Sequence, residues 1–423
     1  MDTIVALSSA HGKGAIAVIR LSGSDSLSLL RGAFGGFDRL SDRKAVFGAL
    51  DVKNIKDDVV VVYYKAPKSY TGEDVVEISC HGSAVVIESI IRYFLQHGAR
   101  LAERGEFTRR AFENGKLTLS ESEGIIDLID AKTESGARLA YNLAGGALKD
   151  KIDKQCERLL GLTAAVNVEI DYPEEDVGAS TSETTLKEIR TVDAEIEKLL
   201  ASYDSGKKLS GGVNVVIVGK PNTGKSTLLN ALVGYERAIV TDEAGTTRDT
   251  LDAAYVYKGV PFNVTDTAGV RGNAVSKAEK LGIERSIDAA LGADIVVILD
   301  GFELDCEHKI SVHSKCDVER RDGVLNVSGV TGEGIESLKE EIYKLSGVVD
   351  TGGLMLTNLR QYETLKDCHD ALLRAQTAVL AGMPPDILSV ELFCALSALE
   401  AVNGAKATGQ VVDAIFSRFC VGK

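Results

Sequence analysis

The stretch "GKPNTGKS", Gly219 to Ser226, carries the most specific chemistry in the chain. It matches G-x-x-x-x-G-K-S/T, a turn whose backbone N–H groups cradle phosphates and whose lysine adds a positive charge. Lys225 is thereby expected at the β- and γ-phosphates of a nucleotide. Gly219, Asn222, Thr223, Gly224 and Thr227 line the turn and the start of the helix after it. "DTAG" (Asp266, Thr267, Ala268, Gly269) supplies a carboxylate near a magnesium ion and a backbone N–H for the γ-phosphate. Ser226 and Thr247 (of "GTTRD") are the expected Mg²⁺ ligands. "HSKCD" reads as the base-recognition turn. Asp317 accepts hydrogen bonds from the guanine N1–H and amine, and the Lys315 stem covers the ring. Ser314 stands where the pattern N-K-x-D has Asn, and Ser328-Gly329 stands where Ser-Ala is usual. The missing amide is expected to weaken nucleotide binding by about 1 kcal/mol. Val270 replaces the water-positioning Gln of many GTPases, so the group acting on water lies elsewhere or comes from an activator.

Elements of the right kind surround these residues. "VNVVIVG" is an apolar strand before the phosphate turn, and "STLLNALVG" is the helix after it. Strands and helices alternate from 213 to about 346, the pattern of a mostly parallel α/β sheet. Residues 1–115 mix β-rich runs ("DDVVVVYY", "VVEIS") with a helix, "SAVVIESIIRYFLQHG", closed by Gly98. Residues 116–210 turn helical, with Ser120 and Glu123 as a capping box and a break at "YDSGKKLSGG". Helices return after 350. The expected organisation is an N-terminal α+β domain (1–115), a helical domain split into 116–210 and 348–423, and an inserted α/β domain at 211–347.

Composition limits the partners. A net charge of −14 argues against a broad RNA-gripping face, which needs clustered Lys and Arg. Seven cysteines without a C-x-x-C pair fit free thiols in a reducing compartment, so the chain reads as cytosolic. No apolar run approaches membrane-spanning length. Cys306, His308, His313 and Cys316 cluster, but C-x-H-x₄-H-x₂-C is not a zinc-finger spacing and two of them flank the base-reading turn. "CVGK" has the outline of a prenylation signal, with unsuitable last residues and no polybasic stretch before it.

The motifs "GKPNTGKSTLLNAL", "IVTDEAGTTRD", "DTAGVR" with "AEKLGIERS", and "FCVGK" together resemble the MnmE (TrmE) family of tRNA modification GTPases. "DTIVALSS", "IAVIRLSG", "SYTGEDVVEISCHG" and "RGEFTRRAFENGKLTL" resemble the same family. The resemblance implies an N-terminal folate-binding domain, a discontinuous helical domain and a P-loop G domain. It also implies a homodimer working with the FAD-containing protein MnmG on the wobble uridine of certain tRNAs. Carbon 5 of that base would receive an aminomethyl or carboxymethylaminomethyl group, with a tetrahydrofolate derivative supplying one carbon.

By the same resemblance, a K⁺ ion is held by Asn222, Thr241, the Glu243 carbonyl and Thr246, and Glu279 orients the attacking water. Arg20, Glu77 and Lys116 match folate-contacting positions, and Lys423 joins them from the "CVGK" tail. Cys420 in that tail is expected to serve the modification chemistry. The rival from another class is a regulatory GTPase of ribosome assembly, which needs neither the N-terminal set nor the tail. Read singly, Asn222, Glu279 and Arg20 also suit bland roles as loop, surface and ion-pair residues.

Overall fold

The computed structural model describes residues 2–53, 55–172, 182–220, 222–234, 252–266, 292–302, 304–405 and 407–423. These form two compact units: Met1–Ile126 with Ala144–Asp153 and Glu400–Lys423, and Asp127–Leu143 with Lys154–Leu399.

The first unit is built on a sheet of six strands. In chain order these are β1 (Ile4–Leu7), β2 (Ile16–Ser22), β3 (Val46–Val52), β4 (Ile55–Tyr64), β5 (Val75–His81) and β6 (Arg100–Leu101). Their spatial order is β3-β4-β5-β2-β1-β6, antiparallel except for β1 with β6. Alternation places Val59, Val61 and Tyr63 of β4 on the buried face. Helix α2 (Ala84–Gln96; α1 is Ser26–Leu30) lays Ile87, Ile90 and Phe94 against this core at helical spacing. It ends where Gly98 takes φ +109°. Phe94→Ala would cost about 3–5 kcal/mol, the range for emptying a closed aromatic site.

Helices α3 (Glu106–Glu113) and α4 (Leu119–Asp130) follow, and α13 (Gly409–Phe416) belongs to the same unit. Leu119, Ile126, Val412, Ile415, Phe416 and Phe419 form their shared core. The capping box of α4 differs from the expected one. Thr118 Oγ1 accepts from the Glu121 N–H at 3.2 Å, and the Glu121 carboxylate accepts from the Thr118 N–H at 2.6 Å. Both pairs satisfy the S/T-x-x-E pattern. Ser120 is instead buried inside the helix, where its hydroxyl donates to Asn403 Oδ1 at 3.1 Å.

In the second unit α5 (Glu134–Ala144), α6 (Ala147–Asp171, from Lys154 on), α7 (Ser182–Ala201) and α8 (Tyr203–Gly211) precede a second sheet. The expected break at "YDSGKKLSGG" is therefore a helix. Gly206 is not a breaker here, since a Cβ on it would lie 2.2 Å from the Leu356 carbonyl oxygen. The glycine permits close approach to the neighbouring chain, and Lys208–Asp204 at 2.7 Å ties the exposed face at i,i+4.

The second sheet contains β7 (Val213–Val218), β8 (Asp252–Tyr257), β9 (Val260–Asp266), β10 (Ile295–Leu299), β11 (Lys309–His313) and β12 (Leu325–Asn326). Their order is β12-β11-β10-β7-β9-β8, parallel except for the β8–β9 hairpin. Lys258 and Gly259, both at positive φ, make that hairpin's two-residue turn. β10 is apolar throughout and β7 is apolar except for the exposed Asn214, as expected of parallel strands covered on both faces. Helices α9 (Lys225–Val233) and α10 (Ile335–Ser346) belong to this layer, and α11 (Leu359–Leu380) and α12 (Pro385–Val402) complete the unit.

Candidate functional site

In the second unit the candidate residues meet at the carboxyl ends of β7, β9, β10 and β11. β7 lies between β9 and β10, so the turn leaving it opens where the strand order reverses. That is the crevice in which open α/β sheets bind ligands. The phosphate turn runs from Gly219 to α9. Asn222 (φ +65°) and Gly224 (φ +88°) both take the left-handed conformation, which turns successive backbone N–H groups toward one side.

Lys225 is buried, and its Nζ donates to the Gly219 and Lys220 carbonyls at 2.9 and 3.0 Å. Burial lowers its pKa, with Asp266 opposing. Among the described residues the Lys225 hydrogen bonds go to carbonyls, which an ammonium can exchange for phosphate oxygens without breaking an ion pair. Register aligns Asp266 at the end of β9 with Ile217, and the Ser226 hydroxyl donates to the Asp266 carboxylate at 2.6 Å. These two hard oxygen donors at one point suit Mg²⁺.

The base-reading turn follows β11. Lys315 (φ +56°) sends its Nζ to the Asn222 carbonyl at 2.8 Å, and its stem passes over Gly224. Asp317 is exposed in the same turn. Ser314 is 6% exposed, and its hydroxyl lies 2.7 Å from the Thr223 carbonyl oxygen and 2.5 Å from Asp300 Oδ2. The serine hydroxyl thus stands within reach of the phosphate turn, where the missing amide would have donated, and shares its one hydrogen between Thr223 and Asp300.

Gly329 has a reason too. A Cβ there would lie 2.8 Å from the Thr227 carbonyl atoms, so the glycine lets the Ser328 loop approach α9 closely. Ser328 is fully buried and its hydroxyl accepts from the Val330 and Thr331 N–H groups. Both ring nitrogens of His313 are engaged, Nδ1 with Asp300 at 2.8 Å and Nε2 with the Glu319 carbonyl at 3.0 Å. Asp300 escaped the motif reading. Its signal in the sequence is an acid ending the apolar run "IVVIL". Thr241, Glu243, Thr246, Thr247, Thr267, Ala268, Gly269 and Glu279 lie outside the described residues.

The first unit gathers a second set. Arg20 on β2 and Glu77 on β5 are direct cross-strand partners, and the guanidinium contacts the carboxylate at 2.8 and 2.9 Å. Tyr64 donates to the other Glu77 oxygen at 3.3 Å. The Arg20 guanidinium also lies over the Tyr70 and Phe107 rings, 5.3 and 5.6 Å from their centroids.

Helix α13 ends at Phe416, and the tail then runs back along the unit. Gly105 N–H donates to the Cys420 carbonyl, Ser8 Oγ to the Gly422 carbonyl and Phe107 N–H to the Lys423 carbonyl. Gly422 (φ +101°) passes so close to β1 that a Cβ would lie 2.0 Å from the Leu7 oxygen. The Lys423 side chain is half-buried and close enough to Arg20 and Glu77 to sense both charges. Its pKa is lowered by burial first and by Arg20 second. Cys420 is an exposed free thiol. Lys116 lines an adjoining cleft of roughly 440 Å³ with Arg43, Tyr64, Lys68, Ser69 and Tyr70.

A phosphate turn on the central strand of a parallel sheet, with a lysine-aspartate base turn two strands away, defines a P-loop protein of the GTPase class. Comparison narrows this. Residues 3–116 match the GTP-binding protein TrmE N-terminus, and residues 119–420 match the MnmE helical domain. The tRNA modification GTPase MnmE of Thermotoga petrophila is 40% identical, covering 100% of both chains. Those of Natranaerobius thermophilus and Clostridioides difficile are each 36% identical, covering 100% of this chain and 99% of theirs. The chain belongs to the MnmE family of tRNA modification GTPases.

Proposed function

We propose that the chain is a K⁺-dependent GTPase that, with a FAD-containing MnmG partner, installs an aminomethyl or carboxymethylaminomethyl group on C5 of the tRNA wobble uridine. Hydrolysis of GTP and action on tRNA follow from family membership over the whole length. Among the described residues no helix is long and apolar enough to cross a membrane.

The observation that carries the finer reading is the convergence of Arg20, Glu77 and Lys423 in the first unit, far outside the nucleotide motifs in sequence. A GTPase switch has no use for this set. A folate derivative does: Glu77 offers acceptors to an amino-pyrimidine edge, Tyr70 and Phe107 offer aromatic faces, and Arg20, Lys116 and Lys423 offer charge to carboxylates. The tetrahydrofolate, when bound, supplies the one-carbon unit. The chain's own groups bind and orient it, and Cys420 stands exposed at the start of the tail for proton transfer or covalent chemistry.

On the nucleotide side, Lys225, Ser226 and Asp266 hold the phosphates and Mg²⁺. By the family resemblance Asn222, Thr241, the Glu243 carbonyl and Thr246 would hold K⁺, and Glu279 would orient the attacking water. The active form is a homodimer in which two G domains pair. Nucleoside analysis of tRNA from cells lacking the protein tests the function, with loss of the wobble-uridine modification expected and unchanged tRNA overturning it. Hydrolysis in KCl against NaCl at equal ionic strength tests the ion, and equal rates would remove K⁺ from the mechanism. Glu279→Ala is expected to slow hydrolysis while leaving nucleotide affinity in place.

A further inference from the structure

We propose that Asp300 is a positioning residue for guanine recognition, locking both ends of the base-reading turn and joining that turn to the phosphate loop. The inference rests on reading Asp317 as the group that accepts from guanine.

Asp300 stands just beyond β10 with φ +51°, and its N–H donates to the Val312 carbonyl of β11 at 3.1 Å. Its carboxylate therefore sits at the carboxyl ends of two adjacent strands. Oδ1 accepts from the Ser314 N–H at 3.3 Å and pairs with His313 Nδ1 at 2.8 Å. Oδ2 meets the Ser314 hydroxyl at 2.5 Å. From here two hooks run outward. Ser314 reaches the Thr223 carbonyl in the phosphate turn, and His313 Nε2 reaches the Glu319 carbonyl. Asp317 lies between Ser314 and Glu319, so both flanks of the guanine reader are fixed to one carboxylate.

The burial pattern supports positioning over a solvated role. His313 and Ser314 are each 6% exposed, whereas Asp317 and Lys315 between the hooks are exposed. A buried, hydrogen-bonded frame carries an exposed reading edge. The serine alone makes a weak frame, because one hydroxyl hydrogen faces two acceptors, the Thr223 carbonyl and Asp300 Oδ2. Asp300 makes up for this by holding the Ser314 N–H and the His313 ring as well. An asparagine at 300 would serve equally. Its oxygen takes the place of Oδ1, and its amide donates to Ser314 Oγ, freeing the hydroxyl hydrogen for Thr223.

The test is the preference of the full-length chain for GDP over inosine diphosphate, which lacks the exocyclic amine, measured by titration calorimetry. The wild type is expected to prefer GDP. Asp300→Ala should reduce that preference about tenfold, the upper end for one ordinary net hydrogen bond, by weakening GDP binding more than inosine diphosphate binding. Ser314→Ala removes one hook without altering the end of β10 and should lower the preference in the same direction. Asp300→Asn should restore it to the wild-type value.

A preference unchanged in both alanine variants, or two affinities falling by the same factor, would show that Asp300 only supports the fold and would overturn the proposal. A wild-type chain with no preference would overturn Asp317 as the guanine reader, and the proposal with it.

Discussion

The two candidate sites are assembled by different physics. In the second unit the chemistry sits on turns at the carboxyl ends of parallel strands, and local sequence does most of the placing. Left-handed Asn222 and Gly224 shape the phosphate turn, and left-handed Lys315 shapes the base turn. In the first unit the chemistry sits within an antiparallel sheet, and register does the placing. Arg20 and Glu77 meet because β2 and β5 pair as they do, although 57 positions separate them. A one-residue slip would send Arg20 to the opposite face. Sites made by turns leave motifs in a sequence. Sites made by register do not.

That contrast can be broken by substitutions of decreasing expected effect. Lys225→Ala should reduce GTP hydrolysis by about 100-fold or more, the scale of losing one transition-state donor, read in a single-turnover assay. It should leave the melting behaviour of the first unit unchanged. Gly422→Ala tests the other site. Its Cβ would collide with the Leu7 carbonyl and its φ is left-handed, so a loss of about 1–3 kcal/mol of stability is expected. Hydrogen exchange of β1 and α3 should report it, with GTP hydrolysis unaffected. Unchanged protection would mean the tail does not brace β1.

Acid should load the amino-terminal ion-pair cluster of the first unit. Burial disfavours the Glu106 carboxylate, but Arg100, the Glu103 N–H and Arg110 outweigh it and hold its pKa below the ordinary 4.5. Arg100 first, then Arg110, holds Asp2 at about 2. Depressed carboxyl pKa values give stability that is fully present above the unfolded values and lost as pH falls through the folded ones. Protection of residues 100–110 should therefore decline from about pH 4 toward pH 2, and Glu106→Gln should flatten the decline. The smallest effect is expected from Ser314→Asn. Because Ser314 already reaches Thr223, the added amide should not tighten GDP binding, whereas an uncompensated serine would leave up to about tenfold to regain. Tighter binding in calorimetry would show that the serine contact is weak.

What was legible follows the same line. The phosphate turn, the alternating α/β pattern and the base turn are visible because each needs particular residue types at fixed short spacing. Two local readings went astray for reasons the contacts explain. Thr118 and Ser120 both begin an S/T-x-x-E match, and only the burial of Ser120 against Asn403 decides between them. Gly206 looks like a helix breaker, and only the proximity of Leu356 shows why the helix needs it. Asp300 matched no motif because its partners, His313 and Ser314, lie at the end of a different strand, 13 and 14 positions away. The Arg20–Glu77–Lys423 set became visible only through family resemblance, since no spacing rule links positions 20, 77 and 423.

The tail has a further consequence, for the order in which the chain can fold. Ser8 and Gly422 are hydrogen-bonded across 414 positions, and Arg104 bridges Val421. During synthesis the second unit has nearly all its residues outside the ribosome before positions 400–423 emerge. The first unit, although it is translated first, must wait with β1 and α3 unbraced. Contacts of such long sequence separation close late and slowly. β1 is therefore among the last elements to be braced, and a nascent chain stalled before position 400 would carry a finished nucleotide fold and all six strands of the first sheet, without the tail along β1.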